Sequence, residues 1–81
     1  MAKRTRKVAH RDARLHKRIG RRIRQERLLR NLTVRQVAAP AGMSPSQLSQ
    51  VELGKNGASI GALVRIAKVL RLRVSKLLSD V

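Results

Sequence analysis

The sequence predicts an all-α fold of five helices, and three observations support this class. Apolar residues recur at helical spacing along most of the chain. Capping residues, together with the glycine and asparagine residues that end helices, divide this pattern into five segments. No segment alternates apolar and polar residues as a strand does. With 81 residues and no cysteine, the chain predicts one small domain over residues 12–81, without disulfide bonds.

The first helix is predicted to begin at Asp12, because an aspartate side chain can cap a helix N terminus. It should end near Arg30, with Asn31 in the left-handed conformation that terminates helices. Four apolar residues are expected on its buried side: Leu15, Ile19, Ile23 and Leu28. Residues 1–11 show no periodicity, and repulsion among their cations predicts a disordered basic arm.

Two short helices are predicted next, on either side of a turn, within residues 33–53. Thr33 caps the first helix, and Gly42 ends it. Ser44 caps the second, where Pro45 suits the first helical position because it needs no N–H partner there. The expected buried residues are Val34, Val37, Ala38 and Ala41 in the first helix, and Leu48 and Val51 in the second.

Pro40 does not fit the first of these two helices. If that helix ran from Val34 to Ala41, Pro40 would lack the N–H that bonds to the carbonyl of Gln36. A proline in a helix interior costs up to about 3 kcal/mol. We therefore predict that the helix ends early or kinks near Ala39.

Two more helices complete the prediction. Ser59 caps the fourth, in which Arg65, Lys68 and Arg71 are expected to face outward, and Ser75 caps a short fifth helix. The expected buried residues of the fourth helix are Ile60, Leu63, Ile66, Ala67 and Leu70, and the fifth helix contains Leu77 and Leu78.

The charge of the chain indicates a polyanionic partner. It has 20 Lys or Arg against 4 Asp or Glu, a formal net charge of +16. No Phe, Tyr or Trp is present to stack on unpaired bases, which favours double-stranded DNA over single strands. Without cysteine, and with two histidines that lack partner ligands, no metal or cofactor is expected. We also expect no enzymatic activity, no membrane association, and a cytoplasmic, nucleoid-associated protein.

The pair of short helices matches the helix-turn-helix motif, with an ordinary helical hairpin as the alternative. Ala38 is small where the two helices cross, and Gly42 supplies the positive φ of the turn. Ala38, Gly42, Leu48 and the segment ELGK at 52–55 fall where the Xre/Cro-type phage-repressor family has its A, G, I and E-x-G-K positions. The chain resembles this family over residues 18–79. The segment SPSQLSQVELGKNGASIGALVRIAKVL is similar to the DNA-binding domain of bacterial Xre-cupin regulators, without the cupin.

The resemblance implies a phage-repressor-like domain that acts as a sequence-specific, repressor-like transcriptional regulator. Its recognition helix, residues 45–53, would lie in the major groove of DNA, in a homodimer on a palindromic site. We expect dimer contacts from the C-terminal region around Arg73, Val74, Leu77 and Leu78. Alternatives are an antitoxin or restriction-modification controller with a protein partner, and a weakly specific architectural DNA-binding protein.

Candidate site residues follow from this arrangement. For reading bases, the exposed early face of the recognition helix offers Pro45, Ser46, Ser49 and Gln50. For DNA phosphates, the candidates are Thr33, Arg35, Gln36, Gln47, Lys55, Asn56 and Ser59. The arm contributes Lys3, Arg4, Arg6, Lys7, Arg11 and Arg14, either in a neighbouring groove or as a nonspecific tail.

The resemblance also implies a buried ion pair between Arg27 and Glu52. Glu52 is one of only four acids and lies beside Leu48 and Val51, where an unpaired charge would be costly. We therefore expect this pair to be structural rather than to read DNA.

Overall fold

A computed structural model describes the backbone of residues 2–79 and the side chains of residues 13–79. The described backbone forms five helices and no strand, which confirms the all-α prediction. In chain order the helices are α1 (Ala2–Leu29), α2 (Val34–Ala38), α3 (Pro45–Glu52), α4 (Ile60–Val69) and α5 (Val74–Leu78). Within the described residues, no helix combines the length and apolar character needed to cross a bilayer.

Helix α1 begins at Ala2, ten residues before the predicted start at Asp12. Residues 2–19 contain neither proline nor glycine, so no residue upstream of Asp12 interrupts the helix. The predicted start is therefore wrong, because α1 runs on from Ala2 through Asp12. The disorder predicted for residues 1–11 stays a prediction. The division of the chain into an arm and a domain stays a prediction.

The buried side of α1 differs in part from the predicted stripe. Ile19 and Ile23 are buried as expected, but Leu15 is 38% and Leu28 51% exposed. Leu28 follows Ile23 by five residues, which turns it about 140° around the helix, away from the core. Arg27, four residues after Ile23, takes the buried position instead. The predicted terminating residue, Asn31, has the expected positive φ of 54°.

Helix α2 ends at Ala38, as the position of Pro40 predicted. The N–H groups of Ala39 and Ala41 each donate to the carbonyl four residues earlier, at 3.1 and 3.3 Å. Pro40 lies between these two donors and has no N–H to continue the ladder toward Gln36. The helical path therefore continues for three residues past α2 with one hydrogen bond missing.

The hydrophobic core contains side chains from all five helices, and α4 contributes Leu63, Ile66 and Ala67. The largest fully buried side chains are Ile23, Val37, Leu48, Ile66, Leu70 and Leu77. The prediction for Ile60 is wrong: it is 70% exposed, because it is the first residue of α4 and lies outside the packed part of the helix. Leu78, expected near a dimer contact, is 39% exposed.

Helix α5 begins at Val74. A cap at Ser75, as predicted, would have placed the first helical residue at Lys76, two residues later. Arg73 occupies the capping position without a side-chain hydrogen bond. The backbone N–H of Lys76 instead donates to the carbonyl of Arg73 at 2.9 Å. The predicted cap is wrong because packing of Leu77 into the core, rather than a serine side chain, positions this short helix.

Candidate nucleic-acid interface

Helix α3 is only eight residues long, and its beginning is held by a reciprocal pair of hydrogen bonds. The Ser44 hydroxyl accepts from the N–H of Gln47 at 3.1 Å. The Gln47 side-chain carbonyl accepts from the N–H of Ser44 at 2.8 Å. This is a capping box, with Pro45 at the first helical position. A helix too short to be stable alone therefore begins at a defined residue.

Helix α2 begins in the same way. The Thr33 hydroxyl accepts from the N–H of Gln36 at 3.1 Å, and the Gln36 side chain accepts from the N–H of Thr33 at 2.8 Å. The side-chain carbonyls of both glutamines are thus used within the fold. Their amide NH₂ groups remain the donors that can serve an external acceptor.

The turn between α2 and α3 is closed by backbone bonds and by a side chain from α4. Gly42 has a φ of 70°, and the N–H of Met43 donates to the carbonyl of Ala38 at 2.9 Å. The Arg65 Nε donates to the carbonyl of Ala41 at 2.8 Å. The sequence predicts that Arg65 faces outward, but it does not predict this hydrogen bond to the turn. No sequence signal distinguished it from Lys68, because only the folded path of the turn brings the Ala41 carbonyl within its reach.

Helix α3 has one buried side and one outward side. Leu48, Val51 and Glu52 are buried, at 0, 6 and 7% exposure. The candidate base-reading residues all lie outside the core: Pro45 and Ser46 are exposed, and Ser49 and Gln50 are half-buried. The structure therefore leaves their side chains available at the surface beside the capped start of the helix.

The end of α3 is joined to α1 by the expected ion pair. Arg27 Nε donates to one carboxylate oxygen of Glu52 at 2.7 Å, and Nη2 donates to the other at 3.0 Å. The third donor, Nη1, bonds the carbonyl of Leu32 at 2.8 Å. The hydrogen bonds that Arg27 donates to Glu52, and the negative charge of Glu52, raise the pKa of Arg27 against the opposing effect of burial. With 9% and 5% of the two side chains exposed, this pair braces the helix and is not available to DNA.

Glycines allow α1 to approach the end of α3 closely. A side chain at Gly20 would clash with the carbonyl oxygens of Val51 and Glu52, the latter at 2.6 Å from the added carbon atom. Gly54, which has a φ of 74°, lies against the backbone of Lys17. The sequence did not predict this role of Gly20, because a glycine inside a helix does not indicate which distant residues pack against it.

The candidate phosphate-binding residues are all exposed: Thr33, Arg35, Gln36, Gln47, Lys55, Asn56 and Ser59. Three of them, Gln47, Asn56 and Ser59, line one open groove of about 270 Å³ between the start of α3 and the start of α4. Thr33, Arg35 and Gln36 belong to the start of α2 instead. In the arm, Arg14 is exposed, whereas the side chains of Lys3, Arg4, Arg6, Lys7 and Arg11 lie outside the described residues.

Comparison with known proteins agrees with this geometry. Residues 23–77 match the helix-turn-helix family HTH_3. The clp gene regulator ClgR from C. glutamicum is similar in structure, with a TM-score of 0.76 and 28% identity over 79% of this chain and 83% of that one. The restriction-modification controller protein C.AhdI from Aeromonas hydrophila has a TM-score of 0.74 and 24% identity, over 76% of this chain and 94% of that one. No curated protein sequence matches significantly. The chain belongs to the HTH_3 helix-turn-helix family and is a DNA-binding transcriptional regulator.

Proposed function

We propose that this regulator places α3 in the major groove of an operator and reads bases with the outward side of that helix. The observation that carries this proposal is the division of α3 into two sides. Leu48, Val51 and Glu52 hold it to the body, while Ser46 and Gln50 stay accessible. Gln50 is the main discriminating residue, because its amide can both donate to and accept from adenine, a contact worth about 1–3 kcal/mol. Pro45 offers only an apolar contact, which suits a thymine methyl group.

Two groups of residues grip the phosphates on either side of the groove. Thr33, Arg35 and Gln36 belong to the start of α2. Lys55, Asn56 and Ser59 follow the end of α3, and Gln47 lies on the same groove as Asn56 and Ser59. These contacts orient α3 but carry no base preference, because every nucleotide has the same phosphate.

The protein acts as a homodimer on a palindromic operator. One helix of eight residues contacts few base pairs, so two copies provide specificity that a single small domain lacks. The expected interface near α5 needs one correction: Leu77 is fully buried within its own chain and cannot contact a partner. Arg73, the half-buried Val74 and Leu78 remain for that role.

Selection of bound sequences from a random duplex pool tests this proposal. A palindromic consensus is expected, with half-sites about 10 base pairs apart from centre to centre, one turn of DNA. Enrichment of a single, non-repeated half-site would contradict the dimer. No enrichment at physiological salt would contradict base reading and favour an architectural protein, since a specific regulator prefers its site by about 10³ or more.

A further inference from the structure

The N-terminal half of α1 extends beyond the body of the protein. At about 1.5 Å per residue, a helix of 28 residues is about 42 Å long. The molecule measures 43 × 24 × 19 Å, so its long axis matches the length of α1. Along the described side chains of α1, the first buried one is Ile19, whereas Ala13, Arg14 and Leu15 are exposed. The residues before them therefore continue the helix past the part of α1 that packs on the core.

This extension is a poor helix on its own. Helices shorter than about 12–15 residues are marginal in water without tertiary contacts. The extension, residues 2–12, contains five Lys or Arg and one acid, Asp12, so like charges recur three and four residues apart. No acid occupies the first turn, where it would interact favourably with the helix dipole. An anionic partner along the extension would remove this repulsion and stabilise the helix.

Close contacts fix where the extension leaves the body. Lys17 packs on Gly54, with its Cα 2.7 Å from the position a side chain at Gly54 would occupy. The imidazole ring of His16 packs on Gly57. Gly54 and Gly57 flank Lys55 and Asn56, the two residues that we place on a DNA strand. The extension therefore leaves the body beside the loop that the proposed function places on a DNA strand.

We propose that the N-terminal half of α1 is a further DNA-contacting element, a basic helix that forms on the phosphates flanking each half-site. This inference rests on the proposed function and deepens it. The occupant is duplex DNA because the extension has cations but no aromatic residue to stack on unpaired bases. It also lacks the broad apolar face that a membrane-surface helix requires.

A proline substitution separates a helical element from a flexible basic tail. Ala9→Pro interrupts the extension and keeps every cation. The matched control, Ala2→Pro, adds the same residue at the first helical position, where proline is tolerated. Both variants and the wild-type chain are titrated with two duplexes carrying the selected operator. One duplex ends at the half-sites, and the other has ten flanking base pairs on each side.

On the flanked duplex, we expect Ala9→Pro to bind about ten-fold or more weakly than wild type. The slope of log affinity against log salt should also fall by about 2–4, since each phosphate contact contributes about 0.9. Ala2→Pro should behave as wild type, and all three chains should bind the trimmed duplex equally. Circular dichroism at 222 nm should show wild type gaining helix on the flanked duplex only.

Wild-type affinity and salt slope of Ala9→Pro on the flanked duplex would overturn the proposal in favour of a flexible tail. An equal loss on both duplexes would overturn it as well, because the effect would then not depend on flanking phosphates. The trimmed duplex reports on α3 without the extension. Its binding therefore distinguishes failure of this proposal from failure of the proposed function.

Discussion

Glu52→Ala is expected to destabilise the domain strongly, because it leaves Arg27 charged and buried. Two of the three hydrogen bonds that the structure records for the Arg27 side chain go to Glu52, at 2.7 and 3.0 Å. Only the bond from Nη1 to the carbonyl of Leu32 would remain. Removing one partner of a buried pair costs about 3–5 kcal/mol. At about 0.05–0.15 kcal/mol per residue, a chain of 81 residues has about 4–12 kcal/mol in total.

Urea unfolding followed by circular dichroism at 222 nm measures this loss, since the chain has no aromatic residue for fluorescence. Glu26→Ala serves as a control. It removes a pair in which the Glu26 side chain is 11% and the Arg30 side chain 31% exposed; because water can reach Arg30 once it is unpaired, a smaller loss than for Glu52→Ala is expected. The double variant Arg27→Met with Glu52→Leu should recover most of the loss, because an apolar pair leaves no buried charge.

The contrary outcome is that Glu52→Ala costs less than about 1 kcal/mol and alters the selected operator. Glu52 would then contact DNA rather than hold α3 in place. A double variant no more stable than Glu52→Ala would also count against a penalty that comes from the unpaired Arg27 charge.

Three further predictions follow from the interface. Pro40→Ala should raise the melting temperature without changing the operator, because it restores one N–H in an exposed turn, and a lower value would show that the proline stabilises the fold. Arg65→Ala should cost about 1–2 kcal/mol in urea unfolding by leaving the Ala41 carbonyl without this bond, and an unchanged midpoint would remove Arg65 from the turn. Lys55→Ala should weaken all duplexes equally and lower the salt slope by about 1, whereas a sequence-dependent loss would indicate base reading.

Local signals in the sequence predicted much of the fold. Thr33, Ser44 and Ser59 cap the helices predicted for them, because a hydroxyl near a free N–H needs only its own chain neighbours. Asn31 likewise ends α1 in the predicted left-handed conformation. The early end of α2 followed from the missing N–H of Pro40.

Features that depend on distant contacts were not predictable in the same way. Arg65 and Lys68 are both predicted to be outward-facing cations of α4, yet of the two, Arg65 is the one that donates a hydrogen bond to the Ala41 carbonyl in the turn. From the sequence, Gly20 is only a residue of low helix propensity. In the fold, it is the position at which α1 packs against the last two carbonyl groups of α3. The Arg27–Glu52 pair was found only because scarce acids make a buried glutamate conspicuous and because the family resemblance supplied its partner.

Operator selection repeated with Gln50→Ala tests most directly whether the outward side of α3 reads the operator. Gln50 is half-buried and makes no side-chain bond that the fold requires among those described, so the variant should fold as wild type. We expect base preference to be lost at one position in each half-site, by about 1–3 kcal/mol, while the rest of the consensus is kept. An unchanged consensus from a folded Gln50→Ala variant would contradict this expectation.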